Sequence, residues 1–262
     1  MLESMVPSSR FVGQLLGCLL LTRVSLRRLF RSRQTLVCAM LLAFAGLAVV
    51  AWSMHPRRTT QAFVGELVLP MYVSFLLPMF CLCYATPVIA GDREDQTLVY
   101  LLATPLPRPL IFAAKYTSAL ALALVWTFGT WVVLTQLAGS FGKEVFRPFC
   151  PAVFWSTVTY VGLFTLFSVL LRRATIVALV YALFLETFLG NVPGVIKRVA
   201  VSFYTECLML DAGARLGLHP TAGREPALLV PISGEAAWVV LGVLGGVLFT
   251  AGLWLFSRRE YA

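Results

Sequence analysis

Few residues of this 262-residue sequence have the types and spacing that catalysis requires. Segment 139–144 has two glycines and a lysine, as a phosphate-binding loop does, but the glycines are too close together and Glu144 replaces the magnesium-binding Ser or Thr. The zinc-protease pattern His-Glu-x-x-His and the hydrolase pattern Gly-x-Ser-x-Gly are absent. Cys81 and Cys83 lack the spacing and the nearby histidines of a zinc site. We therefore predict no catalytic, cofactor-binding or metal-binding residue in this chain.

Charged residues concentrate in a short segment, 91–110, that lies between two apolar stretches. Three acidic residues open it, and three leucines follow at helical spacing, which predicts an amphipathic helix with the acids in its first turn, where the helix dipole favours them. Pro105 ends this helix, and two further prolines keep the chain extended until the next apolar stretch. The residues concerned are Asp92, Glu94, Asp95, Leu98, Leu101, Leu102, Pro107 and Pro109.

The elements that must position this segment are membrane helices. Apolar residues make up 59% of the sequence and charged residues 13%, which disfavours a water-soluble globular fold. A span needs about 20 apolar residues, and lipid-facing backbone must satisfy its own hydrogen bonds. We predict an all-α integral membrane protein with six transmembrane helices, and kinks at Pro70, Pro78 and Pro87. The predicted spans are 35–54, 67–90, 116–136, 149–171, 174–192 and 236–256.

The N-terminal segment, 1–34, predicts an amphipathic helix lying in the plane of the membrane interface. Its apolar stretch is too short to span, and its basic residues follow that stretch, unlike those of a signal peptide. In a helix over 10–33, the apolar residues share one face and four arginines the other. The apolar set is Phe11, Leu15, Leu19, Leu26, Leu29 and Phe30, and the basic set is Arg23, Arg27, Arg28 and Arg31.

The distribution of basic residues predicts the orientation of the chain. The net charge of +9 comes from Lys and Arg that flank the spans, and no nucleic-acid-binding motif accompanies them. The face that holds both termini carries 13 Lys and Arg against 8 on the other, so both termini are expected in the cytoplasm. We predict one six-span membrane domain over 35–257, a re-entrant extracytoplasmic region over 191–235 and a cytoplasmic tail over 258–262, with membrane lipids as partners and no nucleic acid.

Glu186 is the one acidic residue well inside a predicted span. An ionised group at the bilayer centre costs on the order of 3 kcal/mol, so such a residue usually faces protein or water and is a candidate polar site. It could also reach the outer interface or make a structural hydrogen bond, because only six residues separate it from Val192.

The physics of segment 91–110 leaves two interpretations open. A soluble motor that grips a stiff surface helix could move the two spans that the helix joins, or the segment could be an inert loop that shields its leucines among the headgroups.

Segment 91–110 resembles the corresponding segment of type-2 ABC transporter (ABC-2) permeases. The shared pattern is Glu-x-x-Thr-Leu-x-x-Leu-Leu-x-Thr-Pro-x-x-Arg with a lysine seven residues later, and Gln96 departs from it because many members have Gly there. The interfacial helix, the six spans and the region after 190–194 extend the resemblance over almost the whole chain. The residues that carry the pattern are Glu94, Thr97, Leu98, Leu101, Leu102, Thr104, Pro105, Arg108 and Lys115.

The resemblance implies a transmembrane permease subunit of an ATP-binding cassette exporter in the cell membrane. In that family the segment forms a cytoplasmic coupling helix that docks on a separate ATPase subunit, which binds ATP and Mg; this chain is then not itself an enzyme. A homodimer, or a heterodimer with a similar permease, is also implied. The expected coupling residues are Glu94, Thr97, Leu98, Leu101, Leu102, Pro105 and Arg108.

Two other functional classes stay open at this point. A haem-exporter-type membrane subunit of cytochrome c maturation has a similar six-span plan and coupling loop. A stand-alone secondary transporter or a small intramembrane enzyme would need more buried titratable groups than Glu186 provides.

Overall fold

The computed structural model of the protein describes residues 6–54, 59–97, 101, 106–185, 200–218 and 232–258, and every regular element in these ranges is helical. We number nine helices in this part of the chain, and treat α3 and α7 as continuous through their π-helical portions. They are α1 Val6–Phe30, α2 Arg33–Ser53, α3 Thr60–Ala85, α4 Pro87–Glu94, α5 Arg108–Leu137, α6 Ser140–Leu170, α7 Ala174–Val180 with its continuation Tyr181–Leu185, α8 Val201–Ala214 and α9 Gly234–Arg258.

Five of these helices, α2, α3, α5, α6 and α9, are long and apolar enough to cross a membrane. The prediction of an all-helical membrane protein is therefore confirmed. The predicted span 174–192 is described only as far as residue 185, as the short apolar helix α7. A count of six spans thus stays a prediction, and so does the structure of the 191–235 region beyond α8.

Two helices begin earlier than the sequence analysis predicts. The third predicted span starts at residue 116, whereas α5 starts at Arg108 and already contains Pro109 at its second position, so the prediction that Pro109 stays extended was wrong. Proline is tolerated there because the first amides of a helix have no intrahelical acceptor. The fourth predicted span starts at residue 149, whereas α6 starts at Ser140. The predicted starts were too late because a run of apolar residues marks only the part of a helix that contacts lipid, whereas α5 and α6 both begin before that part.

Prolines lie within α3 and at its junction with α4, and the kinks expected there stay a prediction. Pro70 lies in a π-helical stretch, Phe63–Leu76, and Pro78 lies in the first turn of the α-helical remainder. Thr86 separates α3 from α4, which starts at Pro87. Since proline has no amide hydrogen, each of these positions removes a backbone hydrogen bond and favours a change in helical geometry. The predicted single span 67–90 is therefore two helices.

The core lies where α3 packs against α5 and α6. The Tyr72 hydroxyl of α3 donates to the Thr127 carbonyl of α5 at 2.8 Å, and its ring lies 5.2 Å from that of Trp131. In the most apolar windows of α3 and α6, 72% and 61% of residues are buried, against 22% in α2 and α9. Hence α3 and α6 are central helices, and α2 and α9 leave most of their apolar surface for lipid or another chain.

A tight turn joins α5 to α6 where a longer loop was predicted. Gly139 has φ 69°, in the left-handed region that glycine adopts without a steric penalty. Three residues later, a Cβ on Gly142 would lie 2.1 Å from the Thr135 carbonyl oxygen. The hairpin therefore depends on glycine at two positions, once for conformation and once for close approach.

We expect Gly142→Ala to destabilise the protein by about 3 kcal/mol. This value is at the upper end of the usual cost of overpacking, because the added methyl group would clash with rigid backbone. Gly129→Ala is the matched control, since a Cβ there meets no atom within 4 Å and alanine favours the helix. Thermal unfolding of the purified variants in detergent measures both. Equal melting temperatures for the two variants would contradict this description of the turn.

Candidate functional site

The acidic residues of segment 91–110 lie at the end of one helix and not at the start of another. Asp92 and Glu94 are in the last turn of α4, and Asp95 is its C-cap, so the prediction that they open the coupling helix was wrong. The helix continues through Gly91 to Glu94, and Gln96, the residue after the C-cap, has φ 55°. The Gln96 amide donates to the Arg93 carbonyl at 3.2 Å, and the Thr97 amide to the Asp92 carbonyl at 2.9 Å. This pair of bonds is a Schellman cap, which normally places glycine at the Gln96 position.

Carboxylates at a helix C-terminus face the negative end of the dipole and need cations nearby. Asp92 is 4% exposed and accepts two ion pairs of 2.5 Å, from Lys115 Nζ of α5 and from Arg28 Nη1 of α1. The second terminal nitrogen of Arg28 pairs with Asp95. We call Arg28, Asp92, Asp95 and Lys115 the Asp92 cluster. It joins α4 to the next long helix, α5, and to α1, whose Arg28 is 64 residues before Asp92 in the sequence.

Arg93 extends this junction to the α6–α7 turn. Its guanidinium donates to the carbonyls of Leu171 at 2.5 Å and Arg172 at 2.9 Å. These carbonyls follow the end of α6, where backbone acceptors have no partner within the helix. Residues 92–95 therefore contact α1, α5 and the α6–α7 turn.

The packing of α1 along the start of α5 places Arg28 beside Asp92. The Thr22 hydroxyl lies 3.5 Å from the Ala114 carbonyl, and a Cβ on Gly17 would be 3.2 Å from the Leu106 side chain. Leu29 is buried one residue after Arg28. At the next turn, the Thr35 hydroxyl donates to the Phe30 carbonyl at 2.8 Å and lies 3.3 Å from the Tyr84 hydroxyl. These contacts fix the α1–α2 corner against α3 and α5.

A cavity of about 620 Å³ lies beside the cluster, between α1, α4 and α5. Its wall is rich in polar groups, and Glu94 presents an exposed carboxylate to it. The polar lining includes Ser25, Arg28, Ser32, Gln34, Glu94 and Lys115. Such a pocket can receive a polar or charged side chain from a partner.

The predicted coupling residues divide between the described and the remaining parts of the chain. Glu94 and Thr97 flank the cap of α4, and Leu101 packs, partly buried, against the core. Arg108 is the first residue of α5 and donates to the Ser257 carbonyl at 3.4 Å. The residues that lie outside the described part are Leu98, Leu102, Pro105 and Glu186.

Sequence reasoning missed the ion pairs of the Asp92 cluster. Lys115 was recognised only as part of a pattern, and Arg28 only as one of several basic residues. A signal was available, because a lysine two turns inside an apolar helix needs a counter-charge, and Asp92 is among the few carboxylates close to it in the sequence. The partner from α1 could not be found this way, because it depends on how α1 packs.

Thiols take no part in the cluster, and all six cysteines are free. Cys207 lies in α8, outside the five candidate spans, and burial raises the pKa of its thiol. It is therefore protonated at neutral pH and behaves as a small apolar side chain.

Comparison with known proteins adds the family. A family model described as ABC-2 family transporter protein matches residues 21–261, which include the Asp92 cluster and all five candidate spans. The chain belongs to the ABC-2 transporter family. It is thus a multi-pass membrane permease of a family whose members are membrane subunits and generally work with an ABC ATPase partner. A search of curated proteins gives no match for this permease.

We expect Asp92→Asn to destabilise the permease by about 3–5 kcal/mol, because it leaves the buried Lys115 ammonium without a counter-charge. Adding Lys115→Met should recover at least half of that loss, because this buried site tolerates an apolar side chain of similar length better than an unpaired ammonium. Asp211→Asn is the control: it breaks an exposed pair with Arg215 and should cost less than about 1 kcal/mol. Thermal unfolding in detergent measures all three. A loss for Asp92→Asn no larger than for Asp211→Asn would contradict the role of the cluster.

Gln96→Gly should stabilise the permease by about 1 kcal/mol, because a non-glycine residue pays 1–2 kcal/mol for a left-handed backbone and glycine does not. Gln96→Ala removes the same side chain but keeps the strained conformation, so it should give no gain. The same melting assay compares them. A gain in the alanine variant that equals the gain in the glycine variant would show that the cap is not strained.

Proposed function

We propose that this permease is the membrane subunit of an exporter driven by ATP hydrolysis in a separate ATPase subunit, with segment 91–110 as the coupling element. The Asp92 cluster carries this proposal, because two of its members, Asp92 and Asp95, belong to that segment and pair with side chains of α1 and α5. ATP and Mg are bound by the ATPase subunit, and this chain performs no catalysis. Two copies of the chain, or one copy and a similar permease, form the transport path between them, with both termini in the cytoplasm.

The cluster supports a mechanism of force transmission. Segment 95–107 joins α4 to α5, and the Asp92–Lys115 pair binds these same two helices to each other only a few residues away. A push on the segment would therefore move α4 and α5 as one body. Arg28 adds α1 to that body, and Arg93 adds the end of α6. Breaking the buried pair would cost several kcal/mol, so the junction transmits displacement rather than absorbing it.

Glu94 is proposed as the charged contact with the ATPase. Its side chain is exposed at the end of α4 and borders the cavity beside the Asp92 cluster, where a lysine or arginine of the partner would fit. Thr97, Leu101 and Arg108 would position the segment, and Leu98, Leu102 and Pro105 would complete its docking surface. For Glu186, the prediction of a polar site within a span or at the outer interface is unchanged.

Co-purification tests the proposed function. The permease is expressed together with a candidate ABC ATPase subunit and isolated through a tag on the permease. The proposal expects the ATPase to be retained and its hydrolysis rate to depend on the permease. Absence of any associated ATPase, together with transport by the purified permease alone, would favour the stand-alone transporter instead.

Glu94→Lys should reduce the retained ATPase at least ten-fold, because a charge reversal places like charges in contact, and this costs several kcal/mol. The matched control is Glu235→Lys, an exposed carboxylate in the first turn of α9, on the face predicted to be extracytoplasmic. Both variants change the net charge equally and should insert normally, as size-exclusion profiles would verify. ATPase retention in the Glu94 variant equal to that in the control would count against this contact.

A further inference from the structure

The exposed side of α1 and the residue that follows it carry a row of three arginines. Arg23 and Arg27 are four residues apart on one face of α1, and Arg31 continues the row in the turn after Phe30, where its amide donates to the Arg27 carbonyl at 3.2 Å. All three are exposed. In the described part of the chain, no ion pair or side-chain hydrogen bond engages them. At 1.5 Å per residue the row is about 12 Å long. We propose that this row binds the headgroups of anionic phospholipids.

The packing of α1 fixes the direction in which the row points. Thr22, Ser25 and Leu29 face the protein: Thr22 lies against α5, while Ser25 and Leu29 are buried. At 100° per residue, Arg27 is on the opposite side of the helix from these three. Arg28 points toward Asp92 and takes no part in the row. Adjacent arginines of one helix thus have separate partners, one inside the protein and one outside.

The residues around the row favour lipid over an acidic protein. Large apolar side chains with more than half of their surface exposed precede and interleave with the arginines. An acidic protein surface would match the charges but would leave this apolar surface in water. A membrane interface accommodates both the charged and the apolar side chains, because lipid phosphates pair with guanidinium groups while apolar side chains enter the boundary of the acyl chains. The apolar residues are Leu16, Leu19, Leu20, Val24 and Phe30.

Lipid binding here would act on the neighbouring ion pair. Headgroups that hold Arg27 and Arg31 fix the rotation of α1, and this same rotation aligns Arg28 with Asp92. Because linked equilibria are reciprocal, anionic lipid should strengthen the attachment of α1 to α4, and that attachment should favour lipid binding. The inference stands on the geometry of α1 alone and does not depend on the proposed exporter function.

Hydrogen–deuterium exchange of the purified full-length permease in nanodiscs tests the proposal. Discs of phosphatidylcholine alone are compared with discs that contain 30% phosphatidylglycerol. Each basic residue near an anionic surface contributes roughly five-fold in binding, so amides of α1 between residues 20 and 32 should exchange at least five-fold more slowly in the anionic discs. Raising the salt to 1 M, where the screening length is about 3 Å, should remove most of the difference.

Arg27→Gln with Arg31→Gln should abolish the dependence on phosphatidylglycerol. The control is Lys143→Gln with Arg147→Gln, an exposed pair at the same spacing in α6 with the same change of charge, which should leave α1 unaffected. Equal exchange in the two lipid compositions, or a persistent difference in the Arg27/Arg31 variant, would overturn the proposal. Protection that appears only with the ATPase bound, irrespective of lipid, would assign the row to a protein partner and overturn it as well.

Discussion

A buried carboxylate at the wrong end of a helix constrains the membrane-proximal part of this permease. Asp92 lies where the dipole of α4 disfavours negative charge, and it is almost completely removed from solvent. It is compatible with the fold only because Lys115 and Arg28 both reach it. Their helices, α5 and α1, must therefore keep their positions relative to α4. The packing of α1 on α5 meets this requirement, because it places Arg28 beside Asp92.

Many hydroxyls inside the membrane helices are satisfied within their own helix. The hydroxyls of Thr127, Thr157 and Thr165 each donate to the carbonyl one turn earlier, at 2.7–2.9 Å. Such bonds stay within one helix and leave packing to apolar contacts. The Asp92 cluster differs because it joins helices through ion pairs, whereas the bond of Tyr72 with Thr127 joins two helices through neutral groups. The cluster is therefore a charged junction between α1, α4 and α5.

The sequence predicts the membrane helices well because apolar periodicity and length follow directly from the thickness of the bilayer. It predicts their ends poorly, since α5 and α6 continue into segments with prolines and charges, as the position of Pro109 illustrates. The acids of segment 91–110 were assigned to the wrong helix because dipole preference was applied without the ion pairs that override it. The partnership of Arg28 depends on tertiary packing, which no local pattern contains. Gln96 stands where the family pattern often has glycine, and it is the residue that adopts the strained left-handed backbone of the α4 cap.

The central claim is that the Asp92 cluster holds α1 and α5 together as one unit. The most direct test is the distance distribution between spin labels at Leu20 of α1 and Val125 of α5, both exposed, in purified protein with its native cysteines replaced by alanine. Pulsed electron paramagnetic resonance in nanodiscs would give a single narrow distribution for the parent protein and a broad one for Asp92→Asn. A parent distribution as broad as that of the variant would contradict the claim.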